Sequence, residues 1–237
     1  MTHFTVDDSF FELFSHARIG VIVCHGIDNT GESSPELLAR LEAATQGVSR
    51  HLPDPEFSQN DVVQTWRKAF QKFPGKKGAR SSVEAMLKRA HQGKGVGSIN
   101  PLVDLYNAVS LEHAVPIGGE DLAAVVGDIR LTRAAGGEDF ITLGSEKSEP
   151  AVAGEVCYLD DAGAICRNWN WREAQRTMLT ADTTDAVMVI EAVDGQNADE
   201  FDAAMRELEA GIQRHCGGAT TTSTVLRRDL TSTALEV

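Results

Sequence analysis

"GSINPLVDLYNAVSLEHAVPIGGEDL", residues 97–122, decides how the chain folds. Its centre has helical spacing, with Leu102, Leu105 and Val109 three and four residues apart. Asn100 directly precedes Pro101, which pairs an N-cap residue with a proline at the first helical position. A helix is therefore expected here, flanked by a loop on each side. Asp104 and Asn107 cap nothing, yet they sit among Leu102, Val103, Leu105, Val109 and Leu111. A polar group on so apolar a helix is buried and must be hydrogen-bonded. Backbone groups of the following "PIGGED" loop are the expected partners, which makes the pair a buttress shaping a pocket. Gly118 and Gly119 allow positive φ there and close approach of a ligand to the backbone.

Working outward, "RIGVIVCHGI" (residues 18–27) and "DAVMVIEAV" (185–193) are β-branched runs expected as buried strands. Phe10–His16 reads as a short helix. "SSPELLARLEAATQGVSRHL", "DVVQTWRKAFQKF" and "SSVEAMLKRAHQGK" read as helices, and "ADEFDAAMRELEAGIQRHCGG" as a last one. "DIRLTRA", "EDFITLG", "GEVCYLD" and "AICRNWNW" are short strand candidates between turn residues. Helices gather in the first half and strands in the second, which favours an α+β fold over a doubly wound parallel sheet. Residues 1–218 are expected to form one domain, followed by a Thr-rich tail, 219–237, that is partly disordered.

The net charge of −13 argues against a general nucleic-acid binder. Its distribution is uneven. Trp66–Lys94 holds nine basic residues and a single acid, Glu84. Lys68, Lys72, Lys76, Lys77 and Arg80 lie on and just after one helix, where they suit local phosphate contacts. The same run also suits the solvated side of a helix whose core face is Trp66, Phe70 and Phe73. No apolar run approaches membrane-spanning length, and no basic n-region with an apolar h-region opens the chain. Cys24, Cys157, Cys166 and Cys216 are scattered and the seven histidines lack ligand spacing. No metal, no cofactor, reduced thiols and a cytoplasmic setting are expected.

Most familiar chemical motifs are absent. "GKGVGSIN" follows a helix rather than a strand and lacks a phosphate-loop lysine. Asp160 and Asp161 fit a hairpin turn better than an acid–base pair. What remains is "CRNWNWREAQRT" (166–177). As an extended strand it would put Asn168, Asn170 and Arg172 on one side and Trp169 and Trp171 on the other. Amides and a guanidinium flanking two indoles suit a small planar or polar ligand.

The run from Asn100 to Leu122 resembles the B3/B4 domain of the phenylalanyl-tRNA synthetase beta subunit. The matching pattern is Asn100, Val103, Asp104, Asn107, Leu111, Glu112, Pro116 and Asp121. With "SSVEAMLKR", "GGEDL", "GDIRL", "DDAG" and "WNWRE", the chain from Ile19 to Gly218 is similar to free-standing B3/B4 proteins. The resemblance implies an α+β domain with a β-sandwich of unusual topology flanked by helices. It also implies an editing-type hydrolase of mischarged aminoacyl-tRNA. Where the synthetase pattern has a histidine after the proline, this chain has Gly118, and tyrosine specificity is not carried over.

On this reading Asn100 or Asn170 places the attacking water or the α-amino group, and Glu173 is either the general base or an anchor for the ammonium, with Asn100 and Glu173 as the catalytic candidates. Asp104, Asn107, Gly118, Gly119, Asp121, Asn168, Trp169, Asn170, Trp171 and Arg172 surround the amino-acid moiety. Lys68, Lys72, Lys76, Lys77 and Arg80 meet the acceptor end of the tRNA. The alternative is a non-catalytic protein that binds an amino acid or tRNA and has kept the fold without the chemistry.

Overall fold

The computed structural model describes residues 2–193, 196 and 198–236. Strand β1 (His3–Val6) and the short helix α1 (Asp8–Phe11) lead into β2 (Arg18–His25). Four helices follow: α2 (Pro35–Gln46), α3 (Asp61–Phe70), α4 (Ser82–His91) and α5 (Pro101–His113). The second half runs β3 (Ile117–Asp121), β4 (Ile129–Arg133), β5 (Val156–Asp160), β6 (Gly163–Arg167), β7 (Arg172–Glu173), β8 (Asp185–Ala192), α6 (Ala198–His215), β9 (Thr220–Leu226) and β10 (Ser232–Ala234). The class is α+β.

The strands form two sheets, ordered β10-β1-β4-β5-β6-β7 and β3-β8-β2-β9. The smaller sheet is antiparallel throughout. In the larger, β1 and β4 pair in parallel and the remaining pairs are antiparallel. Strands β2 and β8 are buried on both faces, which is why each reads as an unbroken apolar run. Val21, Val23, Val187 and Val189 face the larger sheet and join Phe4, Ile129 and Leu131 in one core. Ile22, Met188 and Ile190 point the other way, into a second core with Leu105 of α5 and Leu208 of α6. A third, smaller core around Phe140, Cys157 and Leu159 backs the larger sheet.

Helix α5 forms as its sequence dictates. The Asn100 side chain accepts from Val103 N at 3.0 Å, and Pro101 fills the first turn. Ala114, at φ 51°, ends the helix in the left-handed region.

Four expectations need correction. "PIGGED" is an edge strand, β3, paired with β8 from Ile117↔Ile190 to Asp121↔Ala186, and Gly118 and Gly119 are extended. "EDFITLG" is no strand: it makes one isolated bridge, Thr142↔Ala174, and its backbone turns instead to residues 148–151. Residues 168–171 are a turn between β6 and β7, with Asn168 and Trp169 at φ 47° and 62°. The Thr-rich segment is docked: β9 pairs with β2 along seven residues, and β10 pairs with β1. Threonine's branched Cβ suits an edge strand as well as it suits a polar tail.

Candidate functional site

A cavity of about 190 Å3 opens between the two sheets, at the β3 edge of the smaller one. Its floor follows from strand alternation. Gly118 pairs with Val189 and Glu120 with Val187, so Gly118, Glu120, Val187, Val189 and Glu191 share the inner face of the small sheet. On the large sheet Tyr158 pairs with Cys166 and Cys166 with Glu173, which places a matching row opposite. Tyr106 and Asn107 of α5, and Asn170, Trp171 and Arg172 of the turn, complete the walls.

Three carboxyl groups therefore meet in one largely apolar recess. Burial pushes the Glu173 carboxyl up to about 7, and its Oε1 accepts from Gly119 N at 3.3 Å. Burial likewise raises Glu191 to about 7, although Glu191 accepts from Tyr158 Oη at 2.6 Å and Asn170 Nδ2 at 2.8 Å. Glu120 is held well above the usual carboxylate range by burial and by the Glu173 charge. The glycines are required by contact. A Cβ on Gly118 would stand 2.6 Å from Glu173 Oε1, and one on Gly119 would stand 2.6 Å from Met188 Sδ. In β3, glycine thus serves close approach rather than positive φ.

The structure gathers part of the expected set. Asn107, Gly118, Gly119, Asn170, Trp171, Arg172 and Glu173 line the cavity. Asn100, Asp104, Asp121, Asn168 and Trp169 do not. Asn100 is committed to its cap. Asp104, fully buried, accepts from Ser33 Oγ, Ser98 Oγ and Ile99 N, so it braces the loop before α5 and not β3. Asp121 caps the turn after β3 through Ala123 N and accepts from Thr183 Oγ1. The left-handed pair at 168–169 breaks the alternation expected of an extended segment. Asn168 turns away to accept from Lys76 N at 2.8 Å, and Trp169 sinks among Phe10, Phe14 and Trp66. Glu120, Glu191, Tyr106 and Tyr158 were not singled out. For Glu191 a signal lies in "MVIEAV", where a glutamate interrupts a strand buried on both faces.

The basic run divides. Arg67 and Arg80 converge on buried Glu84, Lys72 Nζ donates to Leu13 O, and Lys76 pairs with Glu149 over the Trp171 ring. Lys68 and Lys77 are exposed. Of the expected core face, Trp66 is fully buried and Phe70 packs partly buried against the same core, whereas Phe73, nearly buried, lies beyond the end of the helix at Phe70. Elsewhere, Glu112, His113 and Glu207 lie close enough to share a cation, but the Arg40 guanidinium already bridges Glu112 and Glu207. No helix among the described residues is long and apolar enough to cross a membrane.

The sequence model of the B3/4 domain family matches residues 65–217, and the chain belongs to that family. It is 35% identical over 94 residues to the phenylalanine–tRNA ligase beta subunit of Psychrobacter arcticus, covering 40% of this chain and 12% of that protein. It is 38% identical over 71 residues to the same subunit of Leifsonia xyli subsp. xyli, covering 30% of this chain and 8% of that one. The chain thus matches only a small part of each relative's length. Among solved structures, an N-terminal fragment of the phenylalanyl-tRNA synthetase beta subunit from Pyrococcus horikoshii aligns with 92% of this chain and 49% of its own. The TM-score is 0.46 and the identity 10%.

Proposed function

We propose that the cavity holds the aminoacyl end of a tRNA and that the protein hydrolyses the ester in trans. The observation that carries this reading is Glu173. It is a carboxyl group poised at about 7, set directly over Gly118 in the cavity between the two sheets. A general base works best with its pKa near the operating pH, and Glu173 is partly ionised at neutrality. Its Oε1 takes the proton of a water whose oxygen bonds to the ester carbonyl carbon; collapse of that tetrahedral intermediate breaks the C–O bond to the ribose, and the protonated Glu173 returns its proton to the departing ribose oxygen. As the carboxylate turns to that water, Gly119 N–H is released to donate to the developing oxyanion. Arg172, exposed at the rim, supplies a second donor. The aminoacyl ester is activated already, so no covalent nucleophile is needed. Lys68 and Lys77, exposed on the surface, are the basic residues of the run most available to meet phosphates of the acceptor end.

One observation favours a second reading, an amino-acid-binding protein without catalysis. The cavity presents three carboxyl groups and a single guanidinium, a set better suited to holding a cation than to stabilising an oxyanion. Incubating the purified protein and its Glu173→Gln variant with a panel of aminoacyl-tRNAs separates the two. The hydrolase reading expects one or more esters to be cleaved, with a loss of about 100-fold or more in the variant. Binding without turnover in either protein would favour the second reading.

A further inference from the structure

The unsatisfied polar atoms of the cavity share one character. Glu120, 5% exposed, has an Oε2 with no partner, and Asn170, 9% exposed, has an Oδ1 with none. Both are acceptors. They are joined by the carboxylates of Glu173 and Glu191, and the cavity's own guanidinium, Arg172, is drawn outward over the Trp171 ring. Buried acceptors left unpaired are costly, and donors supplied by a ligand would satisfy them.

The strand register spaces these groups. Glu120 stands opposite Val187, and Glu191 lies four residues further along the same face of β8. At the rise of an antiparallel strand that is about 13 Å between backbones. Glu173 sits between them over Gly118, which pairs with Val189. One compact cation cannot pair with both outer carboxylates across that span, whereas two cations joined by a short chain can.

We infer that the cavity selects a ligand with two cationic groups, so that the favoured aminoacyl ester carries a basic, lysine-like side chain. This inference rests on reading the cavity as the aminoacyl site. One outer carboxylate takes the α-ammonium and the other takes the side-chain cation, which leaves Glu173 to the water. Asn170, already donating to Glu191 through Nδ2, contributes its free Oδ1 to the same cation as Glu191. Glu120 stands at the other end, beside the β3 edge.

The test compares two probes of equal chain length on the full-length protein at pH 8. These are 1,5-diaminopentane, a dication, and n-pentylamine, a monocation, with binding followed by calorimetry. The diamine is expected to bind at least about tenfold tighter, a gap equivalent to about 1.4 kcal/mol. Glu120→Gln and Glu191→Gln should each narrow that gap. Equal affinities, or no binding of either probe at millimolar concentration, would overturn the inference without reference to any variant's stability. Deacylation is scored separately. A diamine preference with no aminoacyl-tRNA hydrolysed removes the hydrolase and leaves this inference standing. Hydrolysis of esters with neutral side chains, with no diamine preference, does the reverse.

Discussion

Replacing Glu191 by glutamine should change how stability depends on pH in a direction that the structure dictates. Glu191 is 2% exposed, and burial raises its carboxyl from 4.5 to about 7. The folded state therefore holds this proton more tightly than the unfolded state does. Between about pH 4.5 and 7 the unfolded chain has released it and the native chain has not, so stability falls as pH rises through that window and levels off above it. The gap corresponds to at most about 3 kcal/mol. Glutamine keeps the shape and cannot ionise. It still accepts from Tyr158 Oη, and turning the Asn170 amide over presents Oδ1, now without a partner, to the new N–H. Urea unfolding followed by tryptophan fluorescence, from pH 5 to 8.5, gives the difference between wild type and variant directly. That difference should shift by up to about 3 kcal/mol in the variant's favour as pH rises, with contributions common to both proteins cancelling. A difference constant to within about 0.5 kcal/mol across the range would show that Glu191 is not held protonated by its surroundings.

Asp104→Ala should cost about 1–3 kcal/mol by stranding the buried Ser33 hydroxyl, or roughly 2–12 °C in Tm, while diamine affinity stays unchanged. Lost affinity at an unaltered Tm would contradict the bracing role. Gly118→Ala should displace the Glu173 carboxylate, whose oxygen would stand 2.6 Å from the new methyl. The result expected is a fall in ester hydrolysis with a near-native melting curve, and full activity would count against Glu173 as the base. Lys68→Ala and Lys77→Ala should each weaken tRNA binding and lower its salt slope by about 0.7–0.9, measured by filter binding across salt concentrations. Lys76→Ala, which breaks the contact with Glu149, should show the smaller effect on that slope.

The parts of the fold visible in the sequence are those decided by local chemistry. Asn100–Pro101 announced the start of α5, and the runs at 18–27 and 185–193 announced the two strands buried on both faces. The parts that stayed hidden are those decided by pairing over long distances. Nothing local distinguishes Ile117–Asp121 as strand or loop, because β3 exists only through β8, about 70 residues later. The Thr-rich segment has the composition of a tail and is ordered only because β2 offers it an edge. At the site, the glycines and the Trp171–Glu173 segment stood out by composition. Glu120 and Glu191 did not, since their significance lies in facing Glu173 across two sheets. The assumption of an extended "RNWNWRE" failed at Asn168 and Trp169, where a hydrophobic cluster holds the backbone in a region that single-residue preference disfavours.

The placement of β9 and β10 has a consequence for how the molecule is made. Strand β9 completes the small sheet beside β2, and β10 completes the large sheet beside β1, so both early strands wait for partners about 200 residues downstream. During vectorial synthesis, the small sheet cannot close its β2 edge until residue 226 has left the ribosome, nor the large sheet its β1 edge until residue 234 has. Until then β1 and β2 each present an unpaired row of backbone groups to whatever lies nearby. Closing loops of that length is slow, and until they close the nascent chain depends on protection of these two edges.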